Sequence, residues 1–232
     1  MDPRTRPIGV FDSGLGGISV LRACTALLPQ EDFLFFGDSA NAPYGEKSLA
    51  QVQALTMAGV RRLLEQGVKA VVVACNTATS AAITLLRETS PQLPIIGIEP
   101  AVKPAAQGRS NSFVVVMATP LTIHEDKYQK LASTFQGQAN VISLPCRGLA
   151  ELVEQGQWSG PVLDAYLQEL LLPLRHCSVD YIVLGCTHYP FIRRAIQTNF
   201  GRPVEIIDGS DGTARQLKRQ LENTGLLRPP GE

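Results

Sequence analysis

The chain has 232 residues, 44% hydrophobic and 18% charged, enough for one large domain or two small ones around an ordinary core. Twenty-one Lys and Arg balance twenty-one Asp and Glu, which excludes a strongly basic nucleic-acid surface, and no apolar run reaches membrane-spanning length. Five cysteines without scaffold spacing point to reduced thiols, and the polar opening Met1-Asp-Pro-Arg leaves no room for a signal peptide's apolar region, so cytoplasmic residence is expected.

Strand-like and helix-like runs alternate along the whole chain, the pattern of an α/β fold with mainly parallel sheets. Residues 8–11 form a strand, and Asp12-Ser-Gly-Leu-Gly-Gly17 then turns the chain into a helix ending near 28. A strand at 33–36 leads into the loop 37–45. The segment 48–66 is a long helix, with Leu49, Val52, Leu55, Val60, Leu63 and Leu64 at helical spacing. A strand at 71–73, a helix at 78–87 and a strand at 95–98 follow. The proline-bearing stretch 99–104 and polar 107–112 read as a crossing into a second half. There the pattern restarts: strand 113–117, helix 124–135, strand 141–144, helices 149–155 and 162–175, strands 181–184 and 204–207. A last helix at 213–224 is expected to return to the first half, and 227–232 to fray. The expected architecture is two similar α/β domains related by a pseudo-twofold, 1–98 with 208–232 and 99–207, with the active site in the cleft between them.

Two cysteines occupy equivalent places. Val71-Val-Val-Ala-Cys75-Asn-Thr-Ala-Thr79 and Tyr181-Ile-Val-Leu-Gly-Cys186-Thr-His-Tyr-Pro190 each put a thiol at the carboxyl end of a buried strand, before a helix-starting turn. A helix N-terminus or a nearby cation lowers a thiol's pKa, and polar residues after each Cys can cap the helix or donate to an anion. Pro190 suits the first turn of the second helix. Cys24, inside an amphipathic helix, and Cys177 read as structural, while the loop residue Cys146 is undecided. Three histidines and no paired zinc spacing argue against a metal site.

Other segments carry two readings. The Asp12–Gly17 loop can cradle an anion through exposed N–H groups, phosphate or carboxylate, or Asp12 is a plain N-cap. It matches neither the P-loop nor the dinucleotide fingerprint, whose third glycine falls at Ser19. Pro43-Tyr44-Gly45, with Asp38 upstream, is a site loop or a surface turn. Thr119 and Thr122 either reach the same sheet edge or cap a helix. Glu154 has no assignment from its own surroundings.

Taken together these motifs resemble the glutamate racemases of the aspartate/glutamate racemase superfamily. The resemblance spans nearly the whole chain: Phe11-Asp-Ser-Gly-Leu-Gly-Gly17, Gly37-Asp38, Pro43-Tyr-Gly45, Cys75-Asn-Thr77, Thr119-x-x-Thr122, Leu152-Val-Glu154 and Gly185-Cys-Thr-His188. It implies cofactor-independent interconversion of L- and D-glutamate, supplying D-glutamate for peptidoglycan. Cys75 would take the α-proton from D-glutamate and Cys186 from L-glutamate, Asp12 assisting the first and Glu154 with His188 the second. Substrate contacts would come from Asp12, Ser13, Pro43, Tyr44, Gly45, Cys75, Asn76, Thr77, Thr119, Thr122, Cys186, Thr187 and His188, with Asp38 in support. The implied partner is glutamate alone, with no cofactor, metal, membrane or nucleic acid, in a homodimer of the kind common in the family. The chain departs from the family at Ala118, where a Gly is usual, and in the run Pro145-Cys-Arg-Gly-Leu-Ala-Glu151. The rival readings are an aspartate racemase and a carboxylate-binding regulatory module with inert thiols.

Overall fold

The computed structural model describes residues 2–229. Eight strands form two four-stranded sheets. The first contains β1 (Ile8–Asp12), β2 (Phe33–Gly37), β3 (Ala70–Val73) and β4 (Ile95–Gly97) in the order β2-β1-β3-β4. The second contains β5 (Ser112–Ala118), β6 (Ala139–Pro145), β7 (Tyr181–Leu184) and β8 (Glu205–Asp208) in the order β6-β5-β7-β8. Every pairing is parallel, so the two sheets repeat one topology. Central strands β3 and β7 are short β-branched runs because both their faces are covered.

Alternation along each strand divides these faces. Val71 and Val73 pack with Phe11, Val52 and Ile83, while Ala70 and Val72 pack with Ile8, Val20 and Leu217. In the second half Val115 and Met117 meet Leu163 and Ile196, and Val114 and Val116 meet Val102 and Tyr128. Helices α1 (Ile18–Leu27), α2 (Leu49–Glu65) and α3 (Asn76–Thr89) cover the first sheet together with α10 (Ser210–Asn223), which packs along α1 through Ala214, Leu217 and Leu221. A reciprocal capping box between Ser48 and Gln51 starts α2 at the residue that the sequence suggests.

Several elements differ from the sequence reading. The crossing segment contains a helix, α4 (Val102–Gly108), whose Val102, Ala105 and Ala106 are buried against the second sheet. The single helix expected at 124–135 is two, α5 (Pro120–His124) and α6 (Asp126–Ser133), because Glu125 adopts an extended conformation between them. Helix α7 (Leu149–Glu154) stands as expected, and α8 (Pro161–Leu171) ends in a 3-10 turn. Past Cys186 the chain makes a 3-10 turn, Tyr189–Ile192, before α9 (Arg193–Phe200), so Pro190 opens the turn and not an α-helix. The tail does not fray at 227–229. Leu227 joins the core beneath α10, and Arg228 donates its backbone N–H to Glu31 (2.9 Å) and its guanidinium to Asp32 (2.7 Å). The remainder of that expected tail, 230–232, lies outside the described residues.

Candidate active site

The two sheets present their carboxyl ends to one another, and the residues singled out by the sequence meet there. Asp12, the last residue of β1, is fully buried. Its Oδ1 accepts the Gly14 N–H at 2.9 Å, and its Oδ2 accepts the Thr187 hydroxyl of the second half at 3.0 Å. Asp12 caps no helix, since the N-cap of α1 is Gly17. Burial raises its pKa, against the opposing charge of His188 and the donors around it.

Cys75 is itself the N-cap of α3. Its Sγ accepts the Ala78 N–H at 3.4 Å and, as a thiol, donates to Ser13 Oγ at 3.3 Å. The sequence reading expects a lowered thiol here, and the structure reverses the sign. Burial, followed by the negative charge of Asp12, pushes Cys75 up to about 12, outweighing the Ser13 and Ala78 hydrogen bonds. At neutral pH Cys75 is therefore a thiol.

Cys186 has a different setting. Its Sγ lies 3.5 Å from His188 Nδ1, and His188 Nε2 reaches Glu154 Oε1 at 2.5 Å. Burial alone would lower the imidazole, but hydrogen bonds to Cys186 and Glu154 raise it to about 10. Burial likewise opposes ionisation of Glu154, yet the hydrogen bonds from His188 and from the Leu15 N–H hold its pKa below the ordinary value. The imidazole is therefore a cation and the carboxylate an anion at neutral pH. Ser13 meets the Cys75 sulfur and the adjoining Asp12 meets Thr187, the residue after Cys186, so both cysteines border the space where the two halves join.

Neutral donors line the rest of that space. Thr77 of the first half and Thr119 and Thr122 of the second form a hydroxyl triangle with sides of 2.9, 3.1 and 2.9 Å. Tyr44 is buried, donates to Asp38 Oδ2 at 2.7 Å, and feels the charges of Cys75 and Asp12. Asn41 also donates to Asp38, which fixes the turn carrying Pro43, Tyr44 and Gly45. That turn is no free surface loop. A Cβ on Gly45 would sit 2.7 Å from Thr119 Cβ, so the first half touches the second here. Asn76 is 3% exposed, yet neither Nδ2 nor Oδ1 has a hydrogen-bond partner. A buried amide leaving both groups unmet is a place for a polar ligand. In the first turn of α3 the N–H groups of Ala78 and Thr79 go to Cys75, leaving those of Asn76 and Thr77 for an anion.

The chain can now be compared with known proteins. The family model described as Asp/Glu/Hydantoin racemase matches residues 8–217. A glutamate racemase of Clostridium novyi is 52% identical over 221 residues, covering 95% of this chain and 85% of the relative. The chain belongs to this racemase family. Two solved glutamate racemases superpose on it with a TM-score of 0.85. One is from Francisella tularensis, in complex with D-glutamate, at 33% identity and covering 97% of this chain and 84% of that one. The other is from Escherichia coli, in complex with L-glutamate and the activator UDP-MurNAc-ala, at 32% identity and covering 97% and 85%.

Within this family fold the halves also touch beside the site through contacts that sequence reasoning missed: Leu15 donates its N–H to Glu154 Oε1 at 2.8 Å, and Ser19 donates to the Thr187 carbonyl at 3.3 Å. The anion held by the Asp12–Gly17 loop is thus the protein's own Glu154 carboxylate. A groove of about 1350 Å³ lies elsewhere, lined by residues of β4, α4, β8 and α10, and includes none of these site residues. Cys146, left open by the sequence, is a core residue: its Sγ donates to the Leu144 carbonyl at 3.3 Å and burial raises its thiol. Among the described residues no cluster of three His, Cys, Asp or Glu is placed to hold a metal, and no helix is long and apolar enough to cross a membrane.

Proposed function

We propose that the protein interconverts L- and D-glutamate by a two-base mechanism in which Cys75 and Cys186 serve opposite faces of the α-carbon. The observation that carries this reading is a thiol on each half, Cys75 bonded to Ser13 beside the charge of Asp12 and Cys186 against His188, together with an unpartnered buried Asn76. From D-glutamate, the Cys75 thiolate takes the α-proton: the C–H bond breaks, an S–H bond forms, and Cys186 delivers its proton to the opposite face. The reverse direction exchanges the roles. Because Cys75 is held as a thiol, the resting protein is set to donate from that side. Ionising Cys75 for the D-to-L direction requires positive charge nearby, and the substrate ammonium beside Asp12 supplies it.

An amino-acid α-proton is a very weak acid, so the transient carbanion needs fixed donors and a dry site. The N–H groups of Asn76 and Thr77, the Thr77, Thr119 and Thr122 hydroxyls and the Asn76 amide are such donors, fixed before substrate arrives. We assign substrate contacts to Ser13, Tyr44, Gly45, Asn76, Thr77, Thr119, Thr122 and Thr187, and read Asp38 as holding Tyr44 in place. We further read residues 1–98 with 208–232 as one domain and 99–207 as the other, opening and closing about the two crossings. No cofactor is used in this scheme, and the product D-glutamate serves peptidoglycan synthesis in the cytoplasm, with the enzyme acting as a homodimer.

The direct test follows optical rotation of L-glutamate and D-glutamate separately, with both aspartate enantiomers in parallel. Loss of rotation from both glutamate enantiomers, and not from aspartate, is expected. Rotation that persists with glutamate, or is lost faster with aspartate, overturns the assignment.

A further inference from the structure

Glu154 is the last residue of α7, where the helix dipole disfavours a carboxylate, so its ionised form depends on donors from elsewhere. It has two, and both meet the same oxygen: His188 Nε2 at 2.5 Å and the Leu15 N–H at 2.8 Å. His188 belongs to the same half as Glu154, and Leu15 to the other. The Leu15 contact therefore exists only when the halves are together.

The glycines around Leu15 show how close this approach is. A Cβ on Gly14 would lie 1.8 Å from Glu154 Oε1, and one on Gly16 would lie 2.6 Å from Thr187 Oγ1 and 2.7 Å from His188 Nδ1. Neither glycine has a positive φ, so backbone freedom is not the reason for them. Space is. The loop is bare where the Glu154–His188 pair presses on it.

We propose that the Leu15 amide, with Gly14 kept bare beside it, is a positioning device for the second thiol. It fixes the Glu154 carboxylate when the cleft closes, and Glu154 then holds His188 against Cys186. An open cleft releases Glu154 and leaves His188 without its fixed partner, so proton transfer at Cys186 is coupled to closure over substrate. The proposal rests on the reading of His188 and Glu154 as the partners of Cys186.

A double-mutant cycle tests it. Gly14→Ala should displace the flexible Glu154 carboxylate without unfolding the loop and lower kcat by about 10- to 100-fold, the scale of a lost hydrogen bond to a charged group. Glu154→Ala should cost a similar factor and also clear space for the new methyl. Adding Gly14→Ala to Glu154→Ala should then change kcat by less than about twofold, the non-additivity expected of residues in contact. The groups facing His188 are Cys186, Glu154 and Asp12. Both single variants should move the alkaline limb of kcat/KM to lower pH together, which a merely bulky substitution would not do. Additive losses, or an alkaline limb that moves in Glu154→Ala but not in Gly14→Ala, overturn the proposal. If Glu154→Ala itself leaves kcat and the pH profile unchanged, the underlying role of Glu154 fails, and the proposal with it.

Discussion

Each of the two thiols depends on different neighbours, and the difference has measurable consequences. Cys75 is surrounded by neutral donors and the Asp12 carboxylate, whereas Cys186 has an imidazolium at 3.5 Å. Cys75→Ala and Cys186→Ala should each lower racemisation by at least about 10²- to 10⁴-fold, the usual contribution of a positioned acid or base, with the circular-dichroism spectrum unchanged. Enantiomers have equal free energies in solution, so kcat/KM must fall equally in both directions. A variant retaining near-normal turnover would rule that thiol out. The raised imidazole also makes stability pH-dependent. The folded chain binds the His188 proton more tightly (about 10) than an unfolded chain does (6.5). This stabilisation is complete below pH 6.5 and is lost as pH rises through about 10. Tm should therefore decline between pH 6.5 and 9, before ordinary thiols near 9.0 ionise, and His188→Asn should flatten that decline. An equally steep decline in the variant would show that another group titrates. The placement of Cys75 and Cys186 at strand carboxyl ends was legible from the matched contexts of the two motifs. Glu154 was reachable only through resemblance, because its partners lie 34 and 139 residues away and one of them is a backbone amide.

At the scale of elements, the eight strands among the described residues were legible because each carries a short apolar run, β-branched in β3 and β7 and aromatic in β2. Helices were less so. Helix α4 hides behind Pro100 and Pro104 in a stretch that looks like a linker, yet its three buried residues hold it to the second sheet. Glu125 splits a periodic segment without any breaker residue. The symmetry suggested by the two cysteine motifs also fails locally: Cys75 caps an α-helix directly, whereas Cys186 precedes a 3-10 turn. Close docking of α2 on β1 positions Asp12 at the candidate site, since Phe11 immediately precedes it. A Cβ on Gly59 of α2 would lie 2.2 Å from the fully buried Phe11 ring. Gly-to-Ala within a helix normally gains about 1 kcal/mol, but overpacking a rigid core costs about 1–3 kcal/mol. Since the ring has no space to retreat into, overpacking should win. Gly59→Ala should lower Tm by a few degrees, at about 2–4 °C per kcal/mol for a chain of this size. An unchanged or raised Tm would mean that α2 is free to slide.

The whole molecule is two copies of one topology facing each other across the site, tied by contacts of unequal weight. Glu46 and Arg147 pair at 2.6 Å across the two halves, but Arg147 is 76% exposed, so this ion pair contributes less than about 1 kcal/mol. The more sheltered contacts matter more: the buried Thr77–Thr119–Thr122 triangle, buried Asp12 with Thr187, and part-buried Leu15 with Glu154 all join residues of opposite halves. Each also involves a candidate site residue, so in the mechanism proposed above closing the molecule and assembling the acid–base pairs are one event. That the chain divides into two α/β halves was readable from the restart of the strand pattern near 113. That its closing contacts run through bare glycine backbone was not, because no side chain marks them. The central claim is that separate thiols serve opposite faces of one carbon. It is tested most directly by incubating L-glutamate with the protein in deuterium oxide and following the α-hydrogen by proton NMR at low conversion. Separate acids and bases predict deuterium at the α-carbon of the D-glutamate formed, while unreacted L-glutamate keeps its proton. Protium carried over into the product, or deuterium entering the unreacted enantiomer as fast as product forms, would contradict it.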